Sequence, residues 1–476
     1  MAYSDLHLLI DGQKLRGEGR GTLPVINPAT EEVLGELPLA STADLDRALE
    51  AAHRAWPVWR ALGPQNRGRI LRKAADLLRE RADAVARLAT VEEGKALAEA
   101  RIELMVSADI LEWYAEEGRR AYGRVLPQRT AGMRMTVVKE PVGPVAGFAP
   151  WNFPLGNPTR KLASALAAGC SVIVKPAEET PACGLAIAQA LVDAGVPDGA
   201  LAVVFGMPAE VSKYLISSPV IRAVHFTGSI PVGKQLTALA AAGMKRTTME
   251  LGGHAPVLVF DDVDVEAVLN LSATSKFRNA GQVCVSPTRF YVQEAIYERF
   301  AQGFAERARN LKVGNGLDDG VVMGPLAHDR RRPAVAALID EAVARGARKL
   351  AGGHSLPGKG YFYAPTVLAD VPDTARIMNE EPFGPVAVLQ PFRDFDEVIR
   401  QANRLPYGLA AYAFTQNARR VNLLGEQIES GMLGINSFTI AAPEAPFGGV
   451  KESGHGSEEG IEGLDSCLVT KFITES

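Results

Sequence analysis

Cysteine is scarce: four residues in 476, Cys170, Cys183, Cys284 and Cys467, with no CxxC spacing between any of them. That excludes a disulfide framework and a cysteine metal knuckle, and leaves four free thiols of a reducing compartment. No excess of positive charge exists either: 51 Lys and Arg against 55 Asp and Glu give a net charge of −4. A nucleic-acid footprint or a polybasic membrane patch is therefore not expected. No stretch reaches the roughly 18 apolar residues of a membrane span, and MAYSDLHLLIDGQK lacks a charged segment followed by a long apolar run. The expectation is a cytoplasmic protein whose partners are small molecules and copies of itself. Repeats, low-complexity tracts and flexible linkers are also missing, as is the dinucleotide fingerprint GxGxxG.

What remains is ordinary for a globular chain, 47% hydrophobic and 22% charged, and long enough for two or three domains. From Ala43 to Arg101 apolar residues recur at helical spacing, which predicts a helical layer with no evident chemistry. After Pro141 short apolar runs (VGPVAGFA, SVIVKP, LAVVFG, AVHFTG) alternate with helical segments, the signature of a parallel α/β sheet. A second alternation begins at APVLVF and runs through RFYVQ and a helix over 332–345. MRMTVVKE and the closing CLVTKFITE read as edge strands that neither sheet absorbs; such strands either pair with another chain or are covered locally.

Five segments could carry chemistry. In KFRNAGQVCVSP, Cys284 stands among small and polar neighbours rather than on an apolar stripe. That context favours an accessible thiol over a packing residue. In TTMELGGHAP, Glu250 precedes Gly252 and Gly253, which permit close backbone approach; it reads as a general base or as a surface acid. In FAPWNFP, Asn152 is hemmed by two prolines and two aromatics, a rigid setting suited to an oxyanion donor. KPAEETP places Lys175 and Glu178 at a strand end, where a doubly wound sheet meets its ligand, or on a solvated turn. In HFTGSIPVGKQ, Gly228, Ser229 and Gly233 lie between a strand and a helix, a place for a phosphate. Gln235 stands where a nucleotide triphosphatase loop needs a hydroxyl, so a pyrophosphate site is favoured over a triphosphatase. His254 reads as structural rather than as the base of a cysteine hydrolase. No metal ligand set emerges.

PWNFP, KPAEETP, FTGSIPVG, ELGGHAP, GQVCV, EEPFGPV and PFGGVKESG, in this order across most of the chain, resemble the aldehyde dehydrogenase superfamily. The resemblance implies an α/β fold with a Rossmann-type cofactor domain (1–122 and 141–252), an α/β catalytic domain (253–452) and a small β oligomerisation flap (123–140 and 453–476). It implies a homodimer or homotetramer. It makes Cys284 the nucleophile, Glu250 the base and Asn152 the oxyanion donor, with Lys161 and Glu458 at proton-relay positions. Lys175 and Glu178 become adenosine-ribose ligands, Gly228, Ser229 and Gly233 the pyrophosphate loop, and Glu381 and Phe383 nicotinamide-ribose contacts; Trp151 and Leu251 also line the cofactor site. The cofactor implied is NAD, with NADP possible, because a carboxylate at position 178 repels a 2′-phosphate.

EWYAEEGRRAYGRVLP, TRKLASALAAGC and KFRNAGQ further resemble the succinate-semialdehyde dehydrogenase branch, whose substrates carry a distal carboxylate. Arg160, Arg278 and Phe447 would then line the substrate tunnel, the arginine forks matching an anionic tail. Two departures stand out: Ala441 and Ala442 replace the branch's serines, and Gly156, Asn157 and Pro158 replace its usual residues before the arginine. A longer semialdehyde or an aromatic aldehyde is the alternative substrate. A CoA-acylating dehydrogenase and an inactive binding homologue are the alternative functions.

Overall fold

The computed structural model describes residues 3–476. Its frame is two sheets that meet edge to edge. In the first, five parallel strands lie in the spatial order Leu201–Val203, Val172–Lys175, Val145–Phe148, Ala223–Gly228 and Arg246–Leu251. Numbered along the chain this is 3-2-1-4-5, so the direction of winding reverses between Val145–Phe148 and Ala223–Gly228. A crevice opens beyond the carboxyl ends of the strands at such a reversal. Uninterrupted burial of Val172–Lys175 and Val145–Phe148 explains why their sequences are apolar runs without alternation. The helical layer 42–117 and helix Gly156–Ala168 cover this sheet; Trp59, fully buried, donates from Nε1 to Leu166 O at 3.0 Å.

The second sheet has seven strands in the order Arg348–Ala351, Thr366–Ala369, Val386–Phe392, Pro287–Gln293, Ala255–Val259, Ala410–Phe414 and Met432–Ile435. All but the first are parallel to their neighbours. Only three residues separate the end of strand Arg246–Leu251 from the start of Ala255–Val259. The chain therefore passes directly from the carboxyl edge of one sheet to the amino edge of the other.

The third sheet pairs Leu468–Glu475 with Arg134–Pro141 over eight residues, and Arg124–Leu126 with the latter. The C-terminal segment is divided in use: Gly454–His455 adds an antiparallel strand to the first sheet beside Arg246–Leu251, and only the last eight strand residues join the third sheet. Within 453–467, the backbone of Gly454–His455 thus completes an edge that the five parallel strands leave open. The helix expected over 332–345 spans Arg331–Ala344. Among the described residues no helix is long and apolar enough to cross a membrane.

Candidate active site

Cys284 enters the site on a strained turn. After helix Val265–Phe277 the backbone takes left-handed φ values at Asn279 (49°), Ala280 (51°) and Gly281 (70°). A Cβ at position 281 would lie 2.1 Å from Gly384 O, so glycine is required there; the two residues before it bear about 1 kcal/mol of strain each. Hydrogen bonds hold the turn: Asn279 N donates to Glu99 (3.1 Å), Asn279 Nδ2 to Asn152 O (2.9 Å) and Ala327 N to Gln282 Oε1 (3.0 Å). Cys284 itself packs against a small cluster of Leu409, Met432 and Phe447. Burial pushes its thiol up to about 12, the Glu381 carboxylate adds to this, and Arg160 opposes it. Cys284 is partly exposed, as its polar sequence neighbours suggest, but its surroundings favour the protonated thiol near neutral pH. Without added NAD, alkylation of Cys284 by iodoacetamide should rise about tenfold per pH unit from pH 7 to 9, as the thiolate fraction does. A plateau in that range, read by mass spectrometry, would contradict this environment.

Asn152 follows the carboxyl end of Val145–Phe148 and is 4% exposed. Its Nδ2 donates to Gln282 O (3.1 Å), two residues from Cys284, and its Oδ1 accepts from Asn157 Nδ2 (3.3 Å). The amide is thereby oriented with its N–H group toward the cysteine loop. Glu250 ends strand Arg246–Leu251 with both carboxylate oxygens buried and without a hydrogen-bond partner. An unpartnered buried carboxylate is costly and marks a working group more often than a structural one. Burial raises its carboxyl well above the ordinary range, with Glu458 adding and Arg160 and Lys161 opposing. The glycines after it are sized by contact: a Cβ at Gly252 would meet Glu381 Oε2 at 2.4 Å, and one at Gly253 would meet Cys284 O at 2.8 Å. Gly253 N donates to Glu381 Oε1 at 3.2 Å.

Behind Glu250, Lys161 Nζ lies fully buried, 2.7 Å from both Glu458 Oε1 and Thr227 Oγ1. Burial lowers the Lys161 ammonium and Glu458 counters it. Glu458 reaches this place because residues 453–467 fold back, its N–H and C=O bridging those of Phe447.

The cofactor residues line the carboxyl edge of the first sheet. Lys175 and Glu178 are ion-paired. Ser229 is the N-cap of helix Ile230–Ala242, and its side chain makes no capping bond, leaving first-turn N–H groups free for a phosphate. Gly233 lies against Leu251, where a Cβ would stand 2.4 Å from Cδ2. Across the crevice the Trp151 and Phe383 rings meet edge-on at 5.6 Å, and Trp151 meets His328 at 5.1 Å. Glu381 is raised to about 8 by burial, opposed by the Gly253 bond. An uncapped helix start at the winding reversal, flanked by glycines and aromatic faces, fits a dinucleotide.

The two arginines differ. Arg160 Nε is paired with Glu459 (2.8 Å) and its guanidinium lies 4.4 Å over the Phe447 ring; its terminal nitrogens make no hydrogen bond among the described residues. Arg278 is exposed, 5.6 Å over the Phe153 ring, and forms no ion pair among the described residues.

Sequence reasoning missed several contributors. Lys95 and Glu99 come from the helical layer held to lack chemistry, where the only signal was the charged EEGK interrupting the periodicity, and Glu103 lies just beyond it. Glu459, buried at φ 59°, and His328 had no motif to mark them.

Doubly wound strands, a phosphate-ready helix start and a cysteine facing an amide and a carboxylate define a dinucleotide-dependent oxidoreductase. The chain belongs to the aldehyde dehydrogenase family, whose model matches residues 15–473. As such it is an NAD(P)-dependent enzyme that oxidises aldehydes. It is 50% identical to the 4-(hydroxymethyl)benzenesulfonate dehydrogenase of Comamonas testosteroni over 99% of this chain and 98% of that one. It is 43% identical to the NADP(+) succinate-semialdehyde dehydrogenase of Escherichia coli K12 (98% and 96% covered). The solved structure of Staphylococcus aureus betaine aldehyde dehydrogenase in complex with NAD+ superposes with a TM-score of 0.96 at 33% identity, covering 99% of this chain and 94% of that one.

Proposed function

We propose that this enzyme oxidises an aldehyde carrying a distal carboxylate or sulfonate, using NAD, through a covalent Cys284 intermediate. The observation that carries the substrate class is Arg278: an exposed guanidinium without a carboxylate partner, six residues before the nucleophile. Arg160, anchored by Glu459 through Nε alone, leaves its terminal nitrogens available beside Phe447. Relatives named for a benzenesulfonate and for succinate semialdehyde share an anionic group, and Ala441 and Ala442 leave room for an aromatic or longer tail.

In this reading the Cys284 thiolate adds to the aldehyde carbon, and the Asn152 amide with the Cys284 backbone N–H holds the oxyanion, each donor contributing about 3 kcal/mol. A bound nicotinamide would supply the hydride acceptor, and loss of hydride from the Cys284 adduct leaves a thioester on that sulfur. Glu250 then takes a proton from water, which hydrolyses the thioester and frees the thiol. Glu458 and Lys161, with Thr227, offer a path by which that proton leaves the buried carboxylate. Lys175 and Glu178 would hold the adenosine ribose, Ser229 with Gly228 and Gly233 the pyrophosphate, and Glu381, Phe383, Trp151 and Leu251 the nicotinamide end. A carboxylate at Glu178 supports NAD over NADP.

The Arg278→Leu variant should raise KM about 10- to 100-fold for succinate semialdehyde and 4-sulfobenzaldehyde, the worth of a charged hydrogen bond, and under threefold for neutral aldehydes of similar length. Equal effects on both groups in initial-rate measurements would remove the anion site. The division into 1–122 with 141–252, 253–452, and 123–140 with 453–476 is our domain reading; the two large sheets support the first two units, and the pairing of 134–141 with 468–475 supports the third. Exposed Val125, Phe472 and Ile473 on the third sheet support a homodimer or homotetramer, and four free cysteines support a cytoplasmic location.

A further inference from the structure

Asn152 is held from behind as well as from the cysteine loop. Lys95, 2% exposed and between helices Ala82–Glu93 and Leu97–Glu117, places Nζ 2.8 Å from the Asn152 carbonyl oxygen and 2.6 Å from Glu103 Oε2. Asn279 Nδ2 donates to the same carbonyl at 2.9 Å. The other Glu103 oxygen accepts from Leu155 N (2.8 Å) and Gly156 N (3.0 Å), the backbone that leads from Asn152 into helix Gly156–Ala168. Lys95 Nζ also lies 4.4 Å over the Phe153 ring. One buried ion pair thus grips the peptide of Asn152 and the two N–H groups just beyond it. Burial opposes charge on Lys95, but Glu103 and Glu93 outweigh it and keep the ammonium protonated. Gly94, at φ 99°, gives the chain the turn that brings Lys95 inward; a Cβ there would stand 2.7 Å from Pro325.

We infer that Lys95, braced by Glu103, is a positioning residue for the oxyanion donor, fixing the Asn152 peptide so that its side-chain amide faces Cys284. This rests on the reading of Asn152 as that donor. A misplacement of even about 1 Å in a donor costs on the order of 100-fold in rate. A packing lysine would matter to stability and leave the chemistry of the bound aldehyde alone.

The test is a double-mutant cycle on the full-length enzyme, with the NADH burst as the readout of acylation and hydride transfer. Lys95→Met in the wild-type background should slow the burst about 30- to 100-fold. In the Asn152→Ala background it should slow the burst less than threefold further, because the donor it positions is gone. Alkylation of Cys284 by iodoacetamide, which forms no oxyanion, should stay within threefold, as should the NAD dissociation constant. Lys95→Gln, which keeps a donor but loses the charge, should fall between, and carries the same cycle if Lys95→Met does not fold. Equal factors in both backgrounds, or a parallel fall in alkylation, would overturn the positioning role. Asn152→Ala with near-wild-type burst would instead sink the oxyanion assignment itself.

Discussion

Cys284→Ala is expected to lower kcat/KM for every aldehyde by at least about 10⁴-fold, more than 5 kcal/mol of transition-state stabilisation, while NAD still binds within threefold of wild type. No other thiol can substitute, since Cys170, Cys183 and Cys467 are buried. Cys170 donates to the Cys467 carbonyl at 3.5 Å, and Cys467 Sγ lies 3.9 Å from His225, so both are committed within the first sheet's core. Loss of the side chain leaves Asn152, Glu250 and the crevice in place, which is why cofactor affinity should survive. NADH absorbance and fluorescence titration read the two quantities separately. Activity within tenfold of wild type would remove Cys284 as nucleophile.

Glu250→Gln should separate the two halves of the reaction. Acylation and hydride transfer need the thiolate and the oxyanion donor, so a burst approaching one NADH per active site should persist. Steady-state turnover should then fall about 10²- to 10³-fold, because the thioester waits for water that no base activates. The variant also removes a buried, unpartnered carboxylate, so it is expected to be no less stable than wild type, and a thermal melt checks this. If the burst shrinks in proportion to turnover, Glu250 acts in acylation instead. The raised Glu250 carboxyl gives the sign of the pH effect: deacylation needs the ionised form, so the hydrolytic rate of the wild type rises as pH climbs through that raised value and is lost below it.

Much of the frame was legible because it obeys local rules. SVIVKP and VGPVAGFA are apolar runs because their strands are covered on both faces, and ELGG carries two glycines because Glu381 and the Cys284 carbonyl stand where side chains would be. The turn before Cys284 was visible only as NAGQ, since nothing in asparagine or alanine announces a left-handed backbone; it is sustained by the bond that Glu99 accepts from Asn279 N and those that Gln282 and Asn152 donate. The helical layer 43–101 read as bland for a related reason. Lys95, within that layer, acquires its role from Asn152, fifty-seven positions away in the chain.

The sequence by itself determined the alternating strands, the reactive residue types and, through seven ordered motifs, the family; these depend on periodicity and on short segments whose neighbours are local. Only the tertiary structure decided which charges are free and which are spent. Arg160 and Arg278 look alike in the chain, yet Glu459 from the returning C-terminal segment binds one and the other is left open, and burial rather than composition raises the Cys284 thiol. Partnership and solvation are properties of what folds alongside a residue, and no local pattern encodes them.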